Sequence, residues 1–177
     1  MKKSALKPLV AIAAAGLLLT ACAPTGGTAA EVAGVQISEA DVDATIENCE
    51  SVGVPLVDEV NTRGNVVFSM AAGEIARQGE IFGDAQPDPA MVDEMMAASF
   101  PADILANPEC GEFLTGAMTF NTALQGLQMT MSPEDFTDEL TRVVTSFDLN
   151  PRYGRVKMQE GGGALVETGS LSTPAGM

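Results

Sequence analysis

The stretch AEVAGVQISEADVDATIENC, residues 30–49, changes its period halfway along. From Glu31 to Ile37, Val32, Gly34 and Gln36 alternate with Ala33, Val35 and Ile37, and β-branched residues fall on both faces, as in a short strand. From Val42 onward the apolar positions are Val42, Ile46 and Cys49, a helical spacing that points Cys49 inward. Between the two lies Ser38, whose hydroxyl suits an N-cap, with Asp41 three residues on to complete a capping box. Ile37 and Val42 are placed to form a hydrophobic staple across that cap. A strand running directly into a capped helix is therefore expected here.

Towards the C-terminus the pattern is almost wholly helical. Residues 58–82 carry Val60, Val67, Ala71, Ile75 and Phe82 on one face. Gly64, Gly73 and Gly79 weaken that helix, so packing must hold it. DAQPDP breaks the chain, and Asp88-Pro89 restarts it as cap and first helical residue. Met91, Val92, Met95 and Met96 follow as a short apolar face. Asn107-Pro108 and Ser132-Pro133-Glu134-Asp135 are two further helix starts. Phe113, Ala117, Phe120, Leu124, Leu127 and Met131 form the seam of the first. Phe136, Leu140, Val143, Val144 and Phe147 line the inner face of the second. SFDLNPRYGRVKMQ, with Pro151 and Gly154, reads as extended. A glycine-rich spacer, a short strand-like run and a polar tail close the chain.

The opposite end has a different character. Lys2, Lys3 and Lys7 precede an uncharged run from Pro8 to Ala21, shorter than the about 20 apolar residues of a membrane span. It ends on Leu19-Thr20-Ala21-Cys22, which resembles the lipobox of bacterial lipoproteins. That resemblance implies cleavage after residue 21 and a diacylglycerol thioether on Cys22, with two acyl chains for stable anchoring. The competing reading is a plain secretory signal with an incidental cysteine. The segment behind Cys22, to residue 30, reads as a tether of about 16 Å root-mean-square length.

Loss of residues 1–21 would remove three of the nine basic residues and none of the 24 acidic ones, leaving a net charge of −18. Nucleic acid, which selects basic patches, is a poor partner for such a chain. The chain has no histidine, which removes the usual general base and the commonest metal ligand. No cofactor, metal or catalytic site is expected. The acidic clusters Asp41/Asp43 and Glu134/Asp135/Asp138/Glu139 fit helix caps and solvated faces. In an exported protein Cys49 and Cys110 are candidates for a disulfide. Two separate buried thiols are the alternative.

Val32-Ala33-Gly34-Val35-Gln36-Ile37-Ser38, the capped helix behind it, the long helix that follows and Asn150-Pro151-Arg152-Tyr153-Gly154 together resemble the SurA N-terminal domain family, and within it the lipoproteins of actinobacteria. The resemblance implies a mainly α fold: a helical chaperone core over residues 31–157, completed by a small β pairing of N- and C-terminal segments. Residues 1–21 would be the signal peptide, 22–30 the tether and 158–177 a glycine-rich tail with a short strand. The family also implies binding of unfolded or extended exported polypeptides. Many members carry a parvulin isomerase domain after this core. Only 27 residues follow Asn150 here, and parvulin sites use histidines, so isomerase activity does not carry over.

The expected protein is a non-enzymatic chaperone on the extracytoplasmic face of the cell membrane, held there by the lipid on Cys22. Met91, Met95 and Met96 are the candidate client-binding residues, since flexible thioethers repack against varied sequences. For any single methionine, a place in the core is the simpler expectation. The alternative function is a structural or adaptor lipoprotein that binds one folded envelope partner.

Overall fold

The computed structural model describes residues 27–58, 62–79, 82–159 and 163–167. The expected signal peptide, Cys22 and the polar tail after Glu167 lie outside the described residues. Within them the chain is mainly helical, with α1 (Glu39–Ser51), α2 (Arg63–Gln78), α3 (Pro89–Ser99), α4 (Ala102–Leu105), α5 (Pro108–Thr130) and α6 (Pro133–Thr145). The strands are β1 (Thr28–Val32), β2 (Val35–Ser38), β3 (Phe147–Leu149), β4 (Arg155–Gln159) and β5 (Gly163–Glu167). They form an antiparallel sheet in the order β2-β1-β3 and a separate β4-β5 hairpin.

The single strand expected over Glu31–Ile37 is two. Ala33 and Gly34 both have positive φ, 49° and 80°, and turn the chain between β1 and β2. Two such residues make a two-residue turn of the type that matches strand twist. Alternation survives a turn of this length, so periodicity alone does not expose it. The hairpin also starts earlier than expected. β1 begins at Thr28, and Ala29 and Ala30 are buried. The folded body, expected from residue 31, therefore already includes Thr28.

Every expected cap is present. Ser38 accepts from Asp41 N, and Asp41 accepts from Ser38 N in return. Asp88, Asn107 and Ser132 accept from the amides of Ala90, Cys110 and Asp135, each followed by proline in the first turn. Ile37 and Val42, the staple pair, both lie in the core. α2 is shorter than expected, because Gly79 takes the left-handed conformation that ends it. Phe82, expected on its last turn, is buried beyond that end, and Val60 lies outside the described residues.

α2 is the central element. Val66, Val67, Ala71, Ala72, Ile75 and Ala76 are all buried, with the sheet on one side and α5 on the other. α2 and α5 run antiparallel, Gly73 against Gly116 and Arg77 against Glu112. At the crossing there is no room for a side chain. A Cβ placed on Gly73 would stand 3.1 Å from the Gly116 Cα, and one on Gly116 3.0 Å from the Gly73 Cα. Beyond the crossing the aromatic rings take over. Phe120 meets Phe82 and Phe68 edge-on at 5.7 and 6.5 Å, and Phe68 meets Phe147 of β3 at 5.3 Å.

α6 turns Phe136, Leu140, Val143 and Val144 inward, as its spacing predicts, but Phe147, expected on the same face, lies beyond the end of the helix in β3. Met131 does not extend the α5 seam. It is the C-cap of that helix and is 37 % exposed. The boundary expected at residue 157 falls inside β4, and Val156 and Val166 of the hairpin both pack on the core, so the body continues to Glu167.

Cys49 in the last turn of α1 and Cys110 in the first turn of α5 form a disulfide across 61 residues of chain. Closing a loop of that length restricts the unfolded chain by about 4 kcal/mol on the entropy model. The Cys49→Ala/Cys110→Ala double variant is accordingly expected to unfold at lower denaturant with that loss, and an unchanged urea midpoint would contradict it. At the helix crossing, Gly73→Leu gains about 0.8 kcal/mol of helix preference. The first obstacle is backbone that cannot rotate aside, and overpacking costs about 1–3 kcal/mol. We expect a net destabilisation of about 1 kcal/mol, measured by chemical denaturation.

Candidate functional site

The Asn150–Gly154 segment is where the chain closes on itself. Asn150 follows β3 and uses all of its groups. Its backbone N donates to Ala29 O and its Nδ2 to Thr28 O, both at 2.9 Å, while its Oδ1 accepts from Arg152 N at 3.2 Å. The start of β1 is thereby tied to the end of β3. Pro151 opens a single 3-10 turn that carries Tyr153 inward, and Gly154 leaves it with φ 100°.

Tyr153 is buried, but its hydroxyl is not idle. It donates to the Glu39 carboxylate at the start of α1 and accepts from Arg63 Nε, 3.0 Å away at the start of α2. Arg63 also bonds Asp43 at 2.6 Å and the Glu39 backbone and carboxylate at 3.3 Å. Arg152 Nη1 stands 3.4 Å from Glu39 Oε1, an ion pair whose geometry falls short of a hydrogen bond. Burial raises the pKa of the Tyr153 phenol above its ordinary value, and the bond to Glu39 adds to the rise; Arg63 opposes it. Burial alone would lower the pKa of Arg63. Its bonds to Tyr153, Asp43 and Glu39 together outweigh that and raise it, so the guanidinium stays cationic. The tyrosine is a latch between three elements, held by a charge on each side of its hydroxyl.

The candidate client residues do not stay together. On α3, Val92 and Met96 face α5, with Met96 only 3 % exposed. Met96 is thus a core residue, since a helix packed along α5 must bury one stripe and the i, i+4 pair Val92/Met96 supplies it. Met91 and Met95 lie on the neighbouring stripe, about 100° round the helix, 44 % and 36 % exposed. Two further methionines join the surface unforeseen: Met129 at 81 % and Met131 at 37 %. The turn before α3 lies against the end of α5, with Ala85 O 3.3 Å from the Cβ position of Gly126. Met91, six residues on, and Met129 and Met131, three and five residues on, therefore share one end of the molecule. Of the seven methionines whose side chains are described, Met96 is buried and Met70 packs half-buried against the core, so the simpler expectation of a core place holds for these two and fails for the four exposed ones.

At the other end of α5 lies a cleft of about 360 Å³, within the range of ligand pockets. Its walls are β2, α1, α2 and the first turns of α5. Ile37, Ala44, Met70 and Phe113 make it apolar, and Gly73 of the helix crossing forms part of its lining. Its rim is acidic: Asp41, Glu74, Glu109 and Glu112 surround the single guanidinium of Arg77. Arg77 bonds Glu74 within α2 and reaches Glu112 of α5 at 2.6 Å. The Arg77 bond holds the Glu74 carboxyl below the ordinary carboxylate range, against the effect of burial. The disulfide, one turn beyond Thr45, clamps the α1 wall to α5. This cleft had no local signal in the sequence. Its lining comes from four elements that only the tertiary fold brings together.

Among the described residues, no group of three or more acidic or cysteine side chains is placed to hold a metal ion, and no helix is long and apolar enough to cross a membrane.

Tyr153→Phe removes the donor to Glu39 and the acceptor for Arg63. We expect a loss of about 2 kcal/mol, the size of a hydrogen bond to a charged partner. The pH profile separates this bond from general packing. A phenol whose pKa is raised by folding contributes fully below the unfolded value of about 10 and loses that contribution as pH rises through the folded value. The wild type should therefore weaken above pH 10 more steeply than the phenylalanine variant, in urea titrations at stepped pH. Parallel alkaline profiles would show that the hydroxyl does not titrate with folding.

Compared with protein-family models, with curated proteins and with solved structures, the chain matches none.

Proposed function

We propose that this protein is an exported, lipid-anchored chaperone of the SurA N-terminal-domain type, which binds unfolded or extended polypeptides without catalysis. The observation that carries the reading is the exposed thioethers of Met91, Met129 and Met131 at one end of the molecule, with Met95 exposed one turn further along α3. Exposed thioethers offer apolar contact that adapts to different sequences, which a binder of many clients needs. Three further features support it. Leu19-Thr20-Ala21-Cys22 has the form of a lipobox. The Cys49–Cys110 disulfide suits an oxidising compartment outside the cytoplasm. The pairing of β1 with β3, locked by Asn150, agrees with a helical core closed by its two terminal segments.

The geometry also suits an anchored protein. Only five residues separate Cys22 from Thr28. Thr28 pairs beside Ser38 at the sheet, whereas Met131 is separated from β3 by the whole of α6, about 20 Å long. The methionine end would thus face away from the membrane.

Two measurements test the proposal. Mass spectrometry of the protein purified from bacterial membranes should show a diacylglyceryl thioether on Cys22; an unmodified cysteine defeats the anchoring. The protein should suppress aggregation of a chemically unfolded client, and Met95→Asp should weaken this several-fold without unfolding the domain. Unchanged client retention in that variant argues against the methionine surface. Crosslinking in cells should trap many extended clients, and a single stoichiometric partner would instead establish an adaptor.

A further inference from the structure

Among the described residues β2 is one of the two edge strands of the three-stranded sheet, and it borders the acidic cleft. Val35, Gln36 and Ile37 all line that cleft. Val35 and Ile37 pair with Val32 and Ala30 on the core face, while Gln36 pairs with Glu31 on the outer face. A cavity that touches three consecutive residues of a strand must run along its edge, since one face alone would meet every second residue. In a hairpin with a two-residue turn, the residue flanking the turn directs its N–H and C=O to the partner strand, and the next directs them away. Val35 is the flanking residue, so the outward pair belongs to Gln36. The outward N–H of Ser38 is already taken by the Asp41 carboxylate at 2.9 Å.

The two edges of the sheet are guarded differently. β3 carries Asp148 and is followed by Asn150-Pro151, a charge and a proline of the kind that block strand addition. Val35-Gln36-Ile37 has neither charge nor proline. An unguarded edge opening into a cleft is a site for an added strand, in which main-chain bonds supply affinity and adjacent pockets select side chains. The apolar lining, with Ile37, Met70 and Phe113, would take an aliphatic side chain. The rim sets the charge preference: four carboxylates face one arginine, which favours a cationic side chain and disfavours an acidic one.

We propose that the cleft captures an extended polypeptide segment as a fourth strand on β2, exchanging both main-chain hydrogen bonds with Gln36, and that it prefers segments in which aliphatic and basic residues alternate. This rests on the polypeptide-binding reading and places a second contact on the same clients, at the opposite end of α5 from the methionines.

The test is fluorescence anisotropy of a labelled valine–lysine alternating peptide with the full chain in mild detergent. Binding should weaken with added salt and fall about tenfold or more when glutamate replaces lysine, the scale of one lost charge-assisted contact. Methylating the peptide amides on one strand edge keeps the charge and removes the donors, and should abolish binding. Gln36→Pro should do the same from the protein side, since it removes the outward N–H. A folded Gln36→Pro variant, or an N-methylated peptide, that binds as well as the original overturns the proposal, as does failure of the parent peptide to bind. The peptide arm requires no variant to fold. Suppression of client aggregation that persists in Gln36→Pro and resists competing peptide would refute the added strand while leaving the chaperone reading standing. Loss of suppression in Met95→Asp with peptide binding intact would assign the two surfaces separate roles.

Discussion

The close passage of α2 and α5 at Gly73 and Gly116 is the constraint on which the remaining structure depends. Two helices that meet backbone to backbone hold their neighbours at fixed distances. The sheet lies on the other side of α2, so its position follows from the same crossing. So does the aromatic chain from Phe82 through Phe120 and Phe68 to Phe147, whose spacings of 5.3–6.5 Å leave little room for a shifted helix. The cleft borders the crossing as well, since Gly73 is part of its lining. A position with the poorest intrinsic helix preference after proline is thus occupied for a packing reason.

Around this centre the chain is closed by polar and covalent ties of long sequence range. Asn150 joins the last strand of the sheet to the first, Tyr153 joins both to the starts of α1 and α2, and the disulfide joins α1 to α5. The tyrosine latch differs from the surface pairs. Its hydroxyl is buried between opposite charges, where a lost partner leaves a desolvated group behind. The pair of Arg142 with Glu139 on α6 lies at the surface, with the arginine more than half exposed, and solvent screens it.

Helix starts were legible because their chemistry is local. Ser38 with Asp41, Asp88-Pro89, Asn107-Pro108 and Ser132-Pro133 each satisfy amides within three residues, and each expectation matches the structure to the residue. The inward face of α6 was legible for the same reason. The hairpin at Ala33-Gly34 was not, because alanine with positive φ carries none of the turn signal of asparagine or aspartate. The assignment of methionines to inside or outside depended on which stripe of α3 met α5. Met91, Met95 and Met96 are equivalent by composition, and only packing separates Met96 from the other two. The cleft and its acidic rim arise from four distant segments and leave no trace in any one of them. The motif Asn150–Gly154 was recognisable as a unit, but its partners Thr28, Glu39 and Arg63 are up to 122 residues away.

The disulfide has a further effect that concerns breakage rather than folding. Every residue from Glu50 to Glu109 lies within the ring closed by Cys49 and Cys110, including all of α2. Segments such as Gly53–Asp58 and Gly83–Asp88 are the connections between helices within that ring. A peptidase that severs one of them does not release a fragment. The two pieces remain one covalent molecule, so a single nick in these connections does not let α2 diffuse away from α5.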